Sequence, residues 1–211
     1  MLDTVKEQQR TNPPTDARAL EDVVLQDHEG RPIRLGDVWG DRPAVLVFIR
    51  HYGCVFCRDQ AVKLHRLRDD FESSGVRLVI IGHGTPAMAA SFRRSQGVDI
   101  PVLVDPDRRV YEAVGAKLAT LPELIGPRQI LAGLRAAIGS RLRQGDIVVH
   151  QGRIIGNAAQ LGGVLVVTPD GAVRYSHLAE DASDYPPARE VLAAARAVQA
   201  SSKKSRTAST A

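Results

Sequence analysis

The sequence predicts an α/β protein, with strands and helices alternating around a central mixed sheet behind an N-terminal hairpin. Three observations carry this reading. Ala44-Val45-Leu46-Val47-Phe48-Ile49 is continuously apolar and rich in β-formers, as expected of a strand covered on both faces. Apolar runs at residues 76–82 and 100–104 repeat it, each following a stretch of helical spacing. Near the end, runs at residues 164–168 and 173–177 bracket the turn Pro169-Asp170-Gly171-Ala172 and read as a β-hairpin.

The elements follow in order. Residues 1–18 form a flexible lead-in, with Pro13-Pro14 opposing regular structure. Val23-Val24-Leu25, the turn at residues 27–30 and a return over residues 32–35 make a short hairpin, and residues 36–39 form a helical turn that sets Trp39 into the core. After the run at residues 44–49, a helix opens near Cys54. Its stripe of Cys57, Ala61, Leu64, Leu67 or Arg68, and Phe71 continues to a stop at Gly75. Thr85-Pro86 caps and opens a second helix that ends near Gly97. A short helix with Val110, Tyr111 and Val114 stops at Gly115. Residues 128–138 have helical spacing, and residues 146–157 read as irregular or as a small hairpin. Pro186-Pro187 opens a last helix with Val191, Leu192, Ala195 and Val198 on one face. The order βαβ, connecting segment, ββα is the layout of a thioredoxin-like fold.

With 211 residues, 44% hydrophobic and 25% charged, and no shift in composition along the chain, a single domain over residues 19–200 is expected. Residues 201–211 read as a disordered basic tail. Of the net charge of +4, three charges belong to Lys203, Lys204 and Arg206 in that tail. The body is thus nearly neutral, which argues against a nucleic-acid binder. Arg128, Arg135, Arg141 and Arg143 form a modest basic cluster that reads as a solvated helix face. No apolar stretch is long enough for a membrane span, and the N-terminus has no secretory core, so a cytoplasmic location is the expectation.

Cys54 and Cys57 are the only cysteines. In a reducing compartment, lone cysteines at this spacing point to redox or metal chemistry and not to a structural staple. The thiolate is the nucleophile, and a helix start offers free N–H groups and positive potential that favour it. Cys54 would occupy that place, with Arg50, His51 and Arg58 as nearby cations, while Cys57 lies one turn inward, where it can resolve a sulfenic acid or mixed disulfide. Zinc would need three or four ligands. No second cysteine pair exists, and the six histidines, His150 among them, are scattered; only His51 and His83, both at strand C-termini, can meet the cysteines. The same two imidazoles are candidate proton-transfer groups. No glycine-rich nucleotide loop is present, so no bound cofactor or metal is expected. Gly162-Gly163, before a strand, suggests close backbone passage beside the cysteine helix.

Ile49-Arg50-His51-Tyr52-Gly53-Cys54-Val55-Phe56-Cys57-Arg58 resembles the active-site segment of peroxiredoxin-like proteins of the alkyl hydroperoxide reductase/thiol-specific antioxidant superfamily, in the branch of selenoprotein U-like proteins and prostamide/prostaglandin F synthase. Asp105-Pro106 through Tyr111 and Gly115, Gly162-Gly163 before Val164, and Pro169-Asp170-Gly171 are similar to further stretches of that branch. The resemblance implies a thioredoxin-like fold, Cys54 as attacking thiol and Cys57 as its partner. It also implies a peroxide or endoperoxide substrate and an external reductant, thioredoxin or a small thiol. The chain departs from typical peroxiredoxins in placing His51 at the threonine position and Val47 at the proline position of the Pro-x-x-x-Thr-x-x-Cys motif. Gly162-Gly163 stands about where thioredoxins place a cis-proline and typical peroxiredoxins an arginine. Three functions stay open on the residues: a peroxide reductase, a protein disulfide exchanger, and a non-catalytic redox-sensing or binding module.

Overall fold

The computed structural model describes residues 11–127, 130–131 and 159–208. Most of the expected helix at residues 128–138, the segment at 146–157, Arg128 with the other arginines of the basic cluster, His150 and the last three residues lie outside them.

Strands β1 (Val24–Asp27) and β2 (Pro32–Arg34) form the expected hairpin. The Asp27 carboxylate closes its turn, accepting from the backbone N–H groups of Glu29 at 2.8 Å and Arg31 at 3.0 Å, with Gly30 at φ 84°. A 3₁₀ turn, Leu35–Val38, delivers Trp39, which is fully buried. Strand β3 (Ala44–Phe48) has no exposed residue. Side chains alternate across it as strand geometry requires. Val45, Val47 and Ile49 face one core layer, and Ala44, Leu46 and Phe48 face the other, where Trp39 and Tyr111 sit.

The cysteine helix departs from expectation. It is two helices, α1 (Val55–His65) and α2 (Arg68–Ser73), separated at Arg66-Leu67. At the junction the Leu67 N–H donates to the Leu64 carbonyl at 2.9 Å, an i−3 bond in place of i−4. Apolar spacing of three or four residues is equally helical, so one tightened turn leaves no trace in the periodicity. The break turns α2 toward the C-terminal helix, where Arg196 reaches Ser74 at 2.9 Å and Asp70 at 2.8 Å.

Strand β4 (Arg77–Gly82) follows, then α3 (Pro86–Gln96), capped by the Thr85 hydroxyl and closed by Gly97 in the left-handed conformation. Next come β5 (Val102–Val104), α4 (Arg109–Ala113), α5 (Leu121–Ile125), β6 (Gly163–Val167), β7 (Val173–Leu178) and α6 (Ala188–Ala208). Helix α6 runs past residue 200 into the segment read as tail. Residues of the expected lead-in are tied to the body: Ala17 is buried and donates to the Gly171 carbonyl at 2.8 Å, and Asn12 donates to Gly115 at 3.2 Å.

The seven strands form one mixed sheet in the order β2-β1-β5-β4-β3-β6-β7. Strand β3 pairs parallel with β4 and antiparallel with β6, so it lies inside the sheet. The N-terminal hairpin extends this sheet by pairing β1 antiparallel with β5. The residues after β3 therefore leave a rigid, fully paired strand, which is what holds the cysteine segment in place.

Candidate active site

The site forms where β3 ends and α1 begins. Ile49 adds one more rung, its N–H donating to the Ile81 carbonyl at 2.9 Å. The Tyr111 hydroxyl lies 2.6 Å from the Ile49 carbonyl and 2.9 Å from that of Ile81, bracing the ends of both parallel strands. Residues 50–53 then turn the chain. Tyr52 packs so tightly over Gly82 that a Cβ there would come within 2.7 Å of its ring. Cys54 becomes the N-cap of α1 and Cys57 lies in its first turn. Both thiols are free and buried, Cys54 at 1% exposure and Cys57 at 0%.

Arg50 serves both sulfurs. Its backbone N–H donates to Cys57 Sγ at 3.3 Å, and its guanidinium donates to Cys54 Sγ at 3.6 Å. The Cys57 thiol also hydrogen-bonds Cys54, and this contact is the largest influence drawing the Cys54 pKa down to about 6. Burial opposes the shift; the Arg50 charge and the N–H groups of Cys57 and Phe56 at the helix start assist it. Cys57 moves the other way. Burial, followed by its neighbour Cys54, pushes its thiol well above the usual cysteine range. The two shifts run in opposite directions, favouring the anion on Cys54 and the proton on Cys57.

Among the other residues read from the sequence, Arg58 donates from Nε to the Tyr52 carbonyl at 2.9 Å, and its positive charge acts on both cysteines. His51 supplies no charge, contrary to expectation. Burial first, then the charges of Arg50, His83 and Arg58, lowers its pKa to about 4, and its Nδ1 accepts from the Gly53 N–H at 3.2 Å. His83 is buried edge-on to Tyr111, with ring centroids 6.1 Å apart, and acts electrostatically on His51. Among the described residues no group of three or more His, Cys, Asp or Glu is placed to hold a metal ion.

Gly162 does allow a close approach, though not to the cysteine helix. A Cβ there would lie 2.0 Å from the Phe48 carbonyl oxygen in β3 and 3.0 Å from the Tyr185 hydroxyl. Gly163 pairs with Phe48 in the ladder, and its Cβ would meet the His177 carbonyl at 2.5 Å.

Tyr185 is the site residue the sequence reading missed. Its hydroxyl lies 3.2 Å from Cys57 Sγ. The one signal was its position just before Pro186-Pro187, which open the helix that packs on this layer.

The comparisons with known proteins bear on the fold and the family. The model of the family described as AhpC/TSA antioxidant enzyme matches residues 63–181, a span that begins beyond both cysteines. The chain is 32% identical over 180 residues to the thioredoxin-like protein AAED1, chloroplastic, of Arabidopsis thaliana, covering 84% of this chain and 72% of that one. It is 27% identical over 173 residues to prostamide/prostaglandin F synthase of Salmo salar, covering 80% and 82%. Peroxidoxin BcpB from Mycobacterium tuberculosis superposes with a TM-score of 0.61 at 21% identity, over 89% of this chain and 97% of that structure, a likeness of fold. A thioredoxin-like sheet, a thiol pair at the end of its inner strand and these matches lead to one conclusion: the chain belongs to the AhpC/TSA antioxidant enzyme family.

Proposed function

We propose that the protein is a thiol-dependent reductase of organic peroxides or endoperoxides that works through a Cys54/Cys57 dithiol–disulfide cycle. The observation that carries this reading is the double service of Arg50, which favours an anion on Cys54 while its backbone holds the Cys57 sulfur. The Cys54 thiolate attacks one oxygen of the O–O bond. That oxygen stays on sulfur as a sulfenic acid, and the other departs as an alkoxide that takes a proton to become the alcohol. Cys57 then loses its proton and attacks Cys54 Sγ. The S–O bond breaks, hydroxide leaves as water, and a disulfide remains. An external thiol returns two electrons.

The position that typical peroxiredoxins fill with a threonine hydroxyl holds neutral His51, so the cationic donor to Cys54 is the Arg50 guanidinium. Burial of Cys54 supports a small oxidant over a folded protein's disulfide. No described helix is long and apolar enough to cross a membrane. A reducing compartment such as the cytoplasm suits a cycle that must regenerate a dithiol.

The test is oxidation by tert-butyl hydroperoxide followed by intact-mass and peptide mass spectrometry. The expected product is the Cys54–Cys57 disulfide, with the reaction abolished in Cys54→Ser. Equal peroxide consumption by Cys54→Ser would sink the proposal.

A further inference from the structure

Between α1 and the start of α6 lies a cleft of about 510 Å³. Its floor is apolar, built from Phe56, Leu67, Tyr185 and Pro186. Its charged lining is Lys63, Arg66 and Arg189 against the single acid Asp59, which leaves it at +2. Lys63 is taken up by Asp59, its neighbour one turn back. Arg66 and Arg189 are exposed, and neither guanidinium pairs with a carboxylate among the described residues. The walls are joined, because Gln60 donates from Nε2 to the Pro186 carbonyl at 3.0 Å.

This cleft is one side chain away from the redox pair. Tyr185 lines it and also places its hydroxyl 3.2 Å from Cys57 Sγ. A ligand that displaces that hydroxyl takes its place against Cys57 Sγ.

We propose that the cleft is the entry for the reductant of the Cys54–Cys57 disulfide, and that the reductant it fits is a low-molecular-weight thiol bearing a carboxylate. The inference rests on the dithiol reading above and adds the side from which electrons arrive and the chemical class of their donor. A guanidinium binds a carboxylate in a planar, two-point contact, so the rim holds such a thiol by its acid while the sulfur reaches inward over the apolar floor.

The chemistry proceeds in two exchanges. The reductant thiolate attacks Cys57 Sγ, the S–S bond breaks, and its electron pair leaves on Cys54; a new S–S bond joins the reductant to Cys57. A second thiolate attacks the reductant's sulfur in that mixed disulfide, releasing the symmetric reductant disulfide and a Cys57 thiolate that takes up a proton. Two thiols are oxidised and one protein disulfide is reduced. Attack on Cys57 is also the favourable direction, since the sulfur expelled is the one that better tolerates negative charge.

The experiment starts from protein whose disulfide has been closed with diamide, so it does not depend on any peroxide. Reduction by 3-mercaptopropionate, 2-mercaptoethanol and cysteamine is followed at equal thiolate concentration, each rate normalised to that thiol's reaction with 2-hydroxyethyl disulfide. The anionic thiol is expected to be about fivefold faster than the neutral one at low salt, with the cationic thiol slowest and the preference fading toward 1 M salt. In R66Q/R189Q the preference collapses. Rapid alkylation and peptide mapping should find the mixed disulfide on Cys57. Equal normalised rates, a preference that survives in R66Q/R189Q, or a mixed disulfide on Cys54 would overturn this inference and leave the dithiol cycle standing. Failure of diamide to close any Cys54–Cys57 disulfide would overturn both.

Discussion

The hydroxyl of Tyr185 lies 3.2 Å from the Sγ of Cys57, joining residues 128 positions apart. That O–H is placed to donate to Cys57 as its sulfur becomes an anion during disulfide closure. Tyr185→Phe should therefore slow closure by about fivefold, one lost hydrogen bond of ordinary strength, while the first oxidation of Cys54 keeps its rate. Dimedone trapping during the reaction should capture more Cys54 sulfenic acid in the variant than in the parent. Closure at the parental rate would show that the hydroxyl only fills space.

The Cys54 thiol should titrate with a midpoint of about 6. Since its pKa lies below the ordinary cysteine value, the reactive thiolate is present above that midpoint and is lost as pH falls through it. Thiolate absorbance or the rate of iodoacetamide alkylation reads this directly. Cys57→Ala and Arg50→Gln should both raise the midpoint, and Cys57→Ala more, because the Cys57 hydrogen bond outweighs the Arg50 charge. The reverse ranking would mean that the cation, not the neighbouring thiol, governs the nucleophile.

Buried His51 links folding to pH. Its folded pKa of about 4 lies below the ordinary histidine value of 6.5, so between these two values the unfolded chain holds the extra proton. The contribution is fully present above 6.5 and is lost as pH falls toward 4, amounting to about 3 kcal/mol. Urea midpoints measured from pH 7 down to 4 should fall more steeply for the parent than for His51→Asn, whose side-chain oxygen can still accept from Gly53. Parallel curves for the two would remove His51 from the acid response.

Two glycines should respond differently to alanine. At Gly162 the added methyl would lie 2.0 Å from a backbone oxygen of β3, which cannot move without breaking the inner ladder. Gly162→Ala should cost about 3 kcal/mol or more, or yield no soluble protein. At Gly30, φ is +84° and nothing lies within 4 Å of a new Cβ. Gly30→Ala should cost about 1 kcal/mol, from backbone strain alone. Thermal denaturation of the two variants side by side checks the contrast.

The inner strand, the N-terminal hairpin, the Thr85 cap and the place of the cysteine pair at the strand-to-helix junction were legible because each rests on local chemistry: an apolar run, a turn, a capping hydroxyl, a cysteine spacing. The break at Arg66-Leu67 was not, since apolar periodicity admits steps of three and four alike. Tyr185 was invisible for another reason: its role exists only once α6 docks beside α1. His51 was read as a cation because its burial, which removes the charge, depends on the packing of β3, β4 and α1 together. Gly162 was recognised as a point of close approach, but the partner it approaches is set by strand order, which no single segment encodes.

The separation between the cysteines and their cover has a consequence for biosynthesis. Cys54 and Cys57 leave the ribosome 128 residues or more before Tyr185, and β6, the antiparallel neighbour of β3, is also late. At ordinary elongation rates the interval is roughly 6 to 25 s. Throughout it the dithiol is attached to an incomplete sheet and lacks the side chains that bury it. The nascent chain is thus the form most exposed to indiscriminate oxidants and alkylators, and completion of the C-terminal helix is the event that turns two accessible thiols into a buried pair.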